Sequence, residues 1–386
     1  MPVVQALRNK VRLRTRLRNA RSALQQLRIL SSSGLIGRGR RRRLTNVTFY
    51  ATNLCDCRCI HCGIWQQRPI VHLPFDVFKQ VHDSPATGPQ TTFGFEGGEF
   101  ILHPQAEEIL AYYQDRRCEL YTNGLKPERV RQLVRKFKIP HLILSTEGGN
   151  RETYERIRGV DAFERVSTLA EEMAQETQVS ISYTITPWNT NEDMQAVRRF
   201  CGERGIVFGL NILHTSPFFD KDYRADHSPP AEGQQSPGAN MVPLPSIPFA
   251  SEESIQGDHP VKTDYLLGYN EWLKGAAKIP CTSIFHRIVI YPNGDIPLCQ
   301  QAEFGILGNL LERRLETIWW SKATLGKQKS MVRCNQCWTS FHRYDDLLIY
   351  RALKTFLPEG LIRAWMKRGK PPRKIPYPPV KHPDKP

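Results

Sequence analysis

Thr52-Asn53-Leu54-Cys55-Asp56-Cys57-Arg58-Cys59-Ile60-His61-Cys62 is the stretch on which the fold turns. Cys55, Cys59 and Cys62 are spaced C-x3-C-x2-C, directly after the strand-like run Asn46–Ala51. Thiolates at such spacing suit either an iron–sulfur cluster or zinc. Three thiolates on a four-iron cube leave one iron open, and an open metal position is where a small molecule can be bound and activated. Cys57 sits inside the loop but outside this spacing.

Outward from the loop, strands and helices alternate. Thr91–Phe95, Cys118–Tyr121, His141–Ser145, Val179–Ile185 and Val207–Leu213 read as strands, and Pro104–Tyr113, Pro127–Phe137, Phe163–Glu176 and Asn191–Arg204 as helices. Repeated β/α units imply a parallel sheet, doubly wound or curled into a barrel. Ligands then belong at the C-terminal ends of the strands.

Those strand ends carry further signals. The second strand runs into Glu96-Gly97-Gly98-Glu99, the third into Tyr121-Thr122-Asn123-Gly124, and the fourth into Leu144-Ser145-Thr146-Glu147-Gly148, with Ile157-Arg158-Gly159 following. In this order, behind C-x3-C-x2-C, the chain resembles the radical S-adenosylmethionine (SAM) superfamily over about residues 46–215. The resemblance implies an α/β fold, a partial (β/α)6 TIM barrel. It implies a [4Fe–4S] cluster on Cys55, Cys59 and Cys62 with SAM on the open iron. Gly97, Gly98 and Glu99 would meet the methionyl amino group, Ser145 and Arg158 the SAM carboxylate, and Asn123 the ribose, with Glu147 and His61 completing the cofactor-binding set. Glu147 stands where the family often has Asp. His61 stands where it usually has Tyr or Phe stacking near the adenine. Reductive cleavage of SAM, and hydrogen abstraction from a substrate C–H bond, follow as the implied chemistry.

Cys281, Cys299, Cys334 and Cys337 form a second group. A turn signal, Pro292-Asn293-Gly294-Asp295, predicts a hairpin joining Arg287–Ile290 to Ile296–Leu298. Four thiolates suit structural zinc as well as a second [4Fe–4S] cluster. With the upstream core, the segment resembles the auxiliary-cluster module of radical SAM proteins in its short twitch form, since the SPASM form carries more cysteines. Four protein ligands leave no iron open, which points to electron transfer. Cys118 and Cys201 read as buried thiols.

The net charge of +16 is not spread evenly. Residues 1–43 hold 13 Arg or Lys and no acid, and residues 351–386 hold ten against two acids, so the body between them is mildly acidic. The pI therefore does not mark the body as a nucleic-acid binder. The expected organisation is a basic amphipathic extension (1–44), the core (45–215), a Pro/Gly/Ser-rich linker or insertion (216–274), the auxiliary-cluster domain (275–345), and a basic helix with a Pro-rich tail (346–386). The basic ends suit an anionic membrane surface. No apolar run approaches the roughly 20 residues of a membrane span, so the expected location is cytoplasmic, with peripheral attachment through those ends.

Three functions compete. The leading one is a dehydrogenase-type redox reaction or an epimerisation on a carbohydrate, cyclitol or lipid-linked small molecule, fed by a low-potential donor such as flavodoxin or ferredoxin. The second is maturation of a ribosomal peptide, ranked lower because residues 1–44 are too few for a leader-recognition domain. The third is a zinc-stabilised nucleic-acid-binding protein.

Overall fold

The computed structural model describes residues 42–361 except 215, 224–259, 278, 301–304, 332 and 359. The basic N-terminal extension, most of the Pro/Gly/Ser-rich segment and the Pro-rich tail lie outside the described residues.

Seven parallel strands form the main sheet: β1 (Asn46–Tyr50), β2 (Thr92–Glu96), β3 (Arg117–Thr122), β4 (His141–Thr146), β5 (Gln178–Ile185), β6 (Val207–Ile212) and β7 (Arg287–Ile290). Their order is β6-β5-β4-β3-β2-β1-β7. Helices α1 (Phe75–Asp83), α2 (Ala106–Tyr112), α3 (Pro127–Phe137), α4 (Arg151–Arg158), α5 (Phe163–Met173) and α6 (Asn191–Glu203) fall between the strands. The sheet curls as the expected partial TIM barrel. Side chains alternate across it. Val47, Phe49, Phe93, Phe95 and Leu120 point toward the helices and are fully buried. Phe49 sits at the centre of that layer, 4.6 Å from the ring of Phe78 on α1 and 5.7 Å from that of Phe95. A buried aromatic of this kind is worth about 3–5 kcal/mol against Ala.

Local signals set the helix ends. Thr190 and Asp193 form a reciprocal capping box at the start of α6, satisfying donors that a helix N-terminus otherwise leaves orphaned. Asn150 accepts from the Thr153 amide at the start of α4 at 2.9 Å.

The expected hairpin differs. Arg287–Ile290 does not turn back onto Ile296–Leu298. It adds to the barrel sheet as β7, parallel to β1, with Asn46 opposite Arg287 and Phe49 opposite Ile290. The apolar run Ile288-Val289-Ile290 is buried, as a strand covered on both faces requires. The turn at Gly294 forms, its amide donating to Tyr291 O at 2.9 Å, but it leads from β7 into β8 (Asp295–Pro297), which pairs antiparallel with β9 (Ile306–Asn309).

The described chain clusters into two compact bodies. One holds the seven-stranded sheet, the β8–β9 hairpin and α8 (Leu315–Trp319). The other holds α7 (Pro260–Leu273), Ser283–Phe285 and α10 (Ser340–Phe356), and the boundary falls within α9 (Lys322–Ser330). Helix α7 occupies the end of the stretch expected to be linker. Among the described residues no helix is long and apolar enough to cross a membrane.

Candidate active site

The cysteine loop is held by backbone on both sides. Toward β2, Gly98 donates to Thr52 O at 2.6 Å and Glu99 to Leu54 O at 2.8 Å. Toward α4, Arg58 donates to Arg158 O and Ile60 to Ile157 O, both at 3.0 Å. These contacts explain three glycines. Gly97 has φ +146°, and a Cβ there would lie 2.7 Å from Thr52 O. A Cβ on Gly98 would run into Leu54 O. Gly159, at φ +69°, would put one 2.5 Å from Arg58 O. Only glycine fits so close a backbone approach.

Cys55 and Cys62 are half-buried, Cys59 is 8% exposed and Cys57 1%. Burial pushes the Cys62 thiol up to about 11 and the Cys55 thiol higher still. Cys59 donates to Cys57 Sγ at 3.5 Å, and Cys57 donates to Arg158 O at 3.3 Å. The hydrogen bond from Cys59 brings Cys57 down to about 7. Among the described residues no three His, Cys, Asp or Glu side chains converge as a single-ion site would require.

The other expected residues gather around this loop in two groups. Glu99, buried, accepts from the Asn123 amide at 2.7 Å, and burial pushes its carboxyl up to about 8. Asn123 Nδ2 donates to Asp56 at 2.8 Å and lies 4.0 Å from Cys55 Sγ, so Asn123 braces the cysteine loop. On the other side, Arg158 pairs with Glu147 at 3.2 Å, both buried. His61 lies close enough to the pair to feel both charges, and burial lowers its pKa. Ser145 stands half-buried at the C-terminal end of β4.

The residues fit a cluster and a zwitterionic ligand. The thiols sit on a loop fixed at both flanks. The buried His61 Nδ1 and Arg158 Nε have no hydrogen-bond partner, and buried polar groups are rarely left so. A carboxylate- and amine-bearing molecule satisfies such groups.

Residues that sequence reasoning missed line the concave face of the sheet. His141 Nε2 is 2.7 Å from Ser180 Oγ, and His141 Nδ1 is 3.3 Å from Glu119 Oε1. Tyr121 donates to the second oxygen of Glu119 at 3.2 Å. Burial, then the Glu119 charge, pushes Glu96 up to about 8. The available signal was period two: polar residues at alternate positions in β3, β4 and β5. The Ser180–His141–Glu119 array is a hydrogen-bonded chain suited to proton transfer.

Three of the second group of cysteines lie in the other body. Cys281 donates its amide to Cys334 O at 2.8 Å, so the two cysteine segments pair directly. Trp338, next to Cys337, locks the C-x2-C turn onto α7: its Nε1 donates to Tyr265 O at 2.8 Å and the Tyr265 hydroxyl donates to Trp338 O at 3.0 Å. The ring rests on Gly268, where a Cβ would come within 2.6 Å of it. Cys299 follows β8.

Comparison with known proteins agrees with this geometry. Residues 49–201 match the radical SAM superfamily, and residues 281–338 match the SPASM family, described as an iron-sulfur cluster-binding domain. The match is to SPASM although four cysteines fall within it. The chain is 27% identical over 119 residues to the antilisterial bacteriocin subtilosin biosynthesis protein AlbA of Bacillus subtilis (strain 168). That stretch is 30% of this chain and 27% of AlbA, so the chain matches about a quarter of that relative's length. Among solved structures, Streptococcus suis SuiB bound to S-adenosylmethionine superposes with TM-score 0.55 at 16% identity, over 76% of this chain and 69% of that one. SuiB bound to its precursor peptide SuiA superposes with TM-score 0.54 at 15% identity, over 80% and 71%. These likenesses establish the shared fold.

Proposed function

We propose that this chain, a radical SAM enzyme with a SPASM-type iron–sulfur module at its C-terminal side, modifies a peptide. The observation that carries the enzymatic reading is the pinned cysteine loop with unpartnered Arg158 Nε and His61 Nδ1 beside it. A [4Fe–4S] cluster bound there would supply the electron for the reductive cleavage of SAM. Cys55, Cys59 and Cys62 hold that cluster, and Cys281, Cys299, Cys334 and Cys337 hold the auxiliary one. Gly97 and Gly98 bring backbone close to the amino end of SAM, and Arg158, with Glu147 behind it, offers a buried cation to its carboxylate. Glu119, backed by His141 and Ser180, accepts the proton that an oxidised substrate must lose.

The peptide reading rests on the relatives. AlbA takes part in the biosynthesis of a bacteriocin, and SuiB has been solved with a precursor peptide. The competing reading, a cyclitol or sugar, rests only on the short cysteine set of the C-terminal module. A direct trial separates the two. The anaerobically reconstituted protein is incubated with SAM and dithionite against a synthetic peptide library and against a panel of cyclitols and sugars. Substrate-dependent 5′-deoxyadenosine with a mass change in a peptide supports the proposal. Stimulation by a cyclitol or sugar alone overturns it.

A further inference from the structure

Arg343 is 0% exposed, and each of its nitrogens is engaged. Nε donates to Cys337 O at 2.8 Å, Nη1 to Ile279 O at 2.6 Å and Nη2 to Asn335 Oδ1 at 2.7 Å. Nη1 also meets Asp346 Oδ2 at 3.1 Å, and the guanidinium lies 5.2 Å from the centroid of the Trp338 ring. Asp346, equally buried, takes the Thr282 amide at 2.9 Å and its hydroxyl at 2.7 Å on its other oxygen. One ion pair on α10 thus grips both cysteine segments. Ile279 and Thr282 flank Cys281, while Asn335 and Cys337 belong to the C-x2-C turn.

A grip alone needs no charge. Neutral donors can hold carbonyls, and burying an ion pair costs desolvation that hydrophobic packing would avoid. What charge adds is a field in a low-dielectric interior, where it acts most strongly. That field is not symmetric. Arg343 lies against the C-x2-C turn, with Nε on Cys337 O and Nη2 on Asn335 Oδ1. Asp346 lies against the Cys281 segment, holding the amide and hydroxyl of Thr282, the next residue. The pair is a fixed dipole, positive toward the C-x2-C turn and negative toward Cys281.

We propose that Arg343 and Asp346 are positioning residues that set the reduction potential of the auxiliary cluster, with opposite signs. Reduction adds one electron, and so one negative charge, to the cluster. Arg343 stabilises that charge and raises the potential; Asp346 opposes it and lowers the potential. Charge near a cluster is among the determinants of its potential. The inference rests on the assignment of Cys281, Cys299, Cys334 and Cys337 as its ligands.

The test uses the full-length chain with Cys55, Cys59 and Cys62 changed to Ala, so that one cluster remains. It is reconstituted anaerobically, its iron is counted, and it is titrated redox-potentiometrically by electron paramagnetic resonance at pH 8. Arg343→Gln should move the midpoint down, Asp346→Asn should move it up, and Arg343→Lys should keep it near the parent. The expected displacement is at least tenfold in the oxidised-to-reduced ratio at fixed poise, about 59 mV for one electron. Midpoints of Arg343→Gln and Asp346→Asn that both stay at the parent value, or both move the same way as a merely loosened module would make them, overturn the proposal. Should Arg343→Gln fail to hold iron, Asp346→Asn decides alone by whether its midpoint rises. A parent that takes up no iron defeats the ligand assignment instead, and the inference falls with it.

Discussion

The amide of Arg58 donates to the carbonyl of Arg158 at 3.0 Å, joining residues a hundred positions apart in the chain. Through this bond and its neighbour at Ile60, the C-terminal end of α4 sets the height of the cysteine loop over the sheet. The side chain of the same Arg158 then reaches Glu147. Backbone and side chain of one residue thus fix both the thiols and the cation beside them.

The loop should divide its cysteines by role. Reconstituted protein is expected to hold about eight irons when both sites carry four-iron cubes. Cys55, Cys59 and Cys62 changed together to Ala should lose about half the iron and all SAM cleavage. Cys57→Ala, which removes a buried thiol bonded to Arg158 O, should keep both. Iron counting and 5′-deoxyadenosine assay read the difference; cleavage persisting in the triple variant refutes the assignment.

Gly97→Ala should be poorly tolerated. The backbone conformation alone costs on the order of 1–3 kcal/mol for a non-glycine residue, and the added carbon meets Thr52 O at 2.7 Å. Urea unfolding should show a loss of at least that size, and isothermal calorimetry should show weakened SAM binding. An unchanged midpoint of unfolding would mean the two loops do not pack as described.

Glu147→Ala strands a buried guanidinium. Breaking one side of a buried ion pair typically costs about 3–5 kcal/mol, and Glu147 and Arg158 are both buried. Adding Arg158→Met should recover part of the stability without restoring SAM binding. Equal stability of the single and double variants in urea would show that the pair is uncoupled.

Glu96 gives the stability of the chain an unusual pH limb. Burial, followed by repulsion from Glu119, holds its proton to about pH 8 in the folded state, against an ordinary value of 4.5. Between those values the unfolded chain binds fewer protons, so the contribution of Glu96 to stability falls as pH rises from about 4.5 to about 8. The groups facing it are Glu119 and Tyr121 on β3 and Tyr50 on β1. Glu96→Gln should reduce the drop in Tm between pH 5.5 and pH 8.5. Parallel Tm–pH curves for the two proteins would rule this out.

Much of the barrel is legible in the sequence because its signals are local. Pro127–Phe137 carries its own Pro at the start of the helix, and β1 to β6 carry runs of apolar and β-branched residues between clear helices. The fate of Arg287–Ile290 is not local. A turn follows it and favours a hairpin, yet its apolar run is satisfied by pairing with Asn46–Phe49, far off in sequence. Site residues divide in the same way. Cys55, Cys59 and Cys62 announce themselves by spacing, and Arg158 through the resemblance. Glu119, His141 and Ser180 lie on three different strands, and nothing but the register of the folded sheet makes them neighbours.

That same register has a consequence for synthesis on the ribosome. Strand β1 is among the first parts of the barrel to emerge, and β7, which covers its outer edge, is among the last. Roughly 240 residues lie between Asn46 and its partner Arg287, on the order of 12–50 s of translation at 5–20 residues per second. Throughout that interval the nascent chain presents Asn46–Tyr50 with one row of amides and carbonyls unmatched, which is a template for association with other chains. Chaperone capture of the growing polypeptide should therefore centre on this strand and end once residue 290 has cleared the exit tunnel, a window that ribosome profiling of chaperone-bound chains resolves.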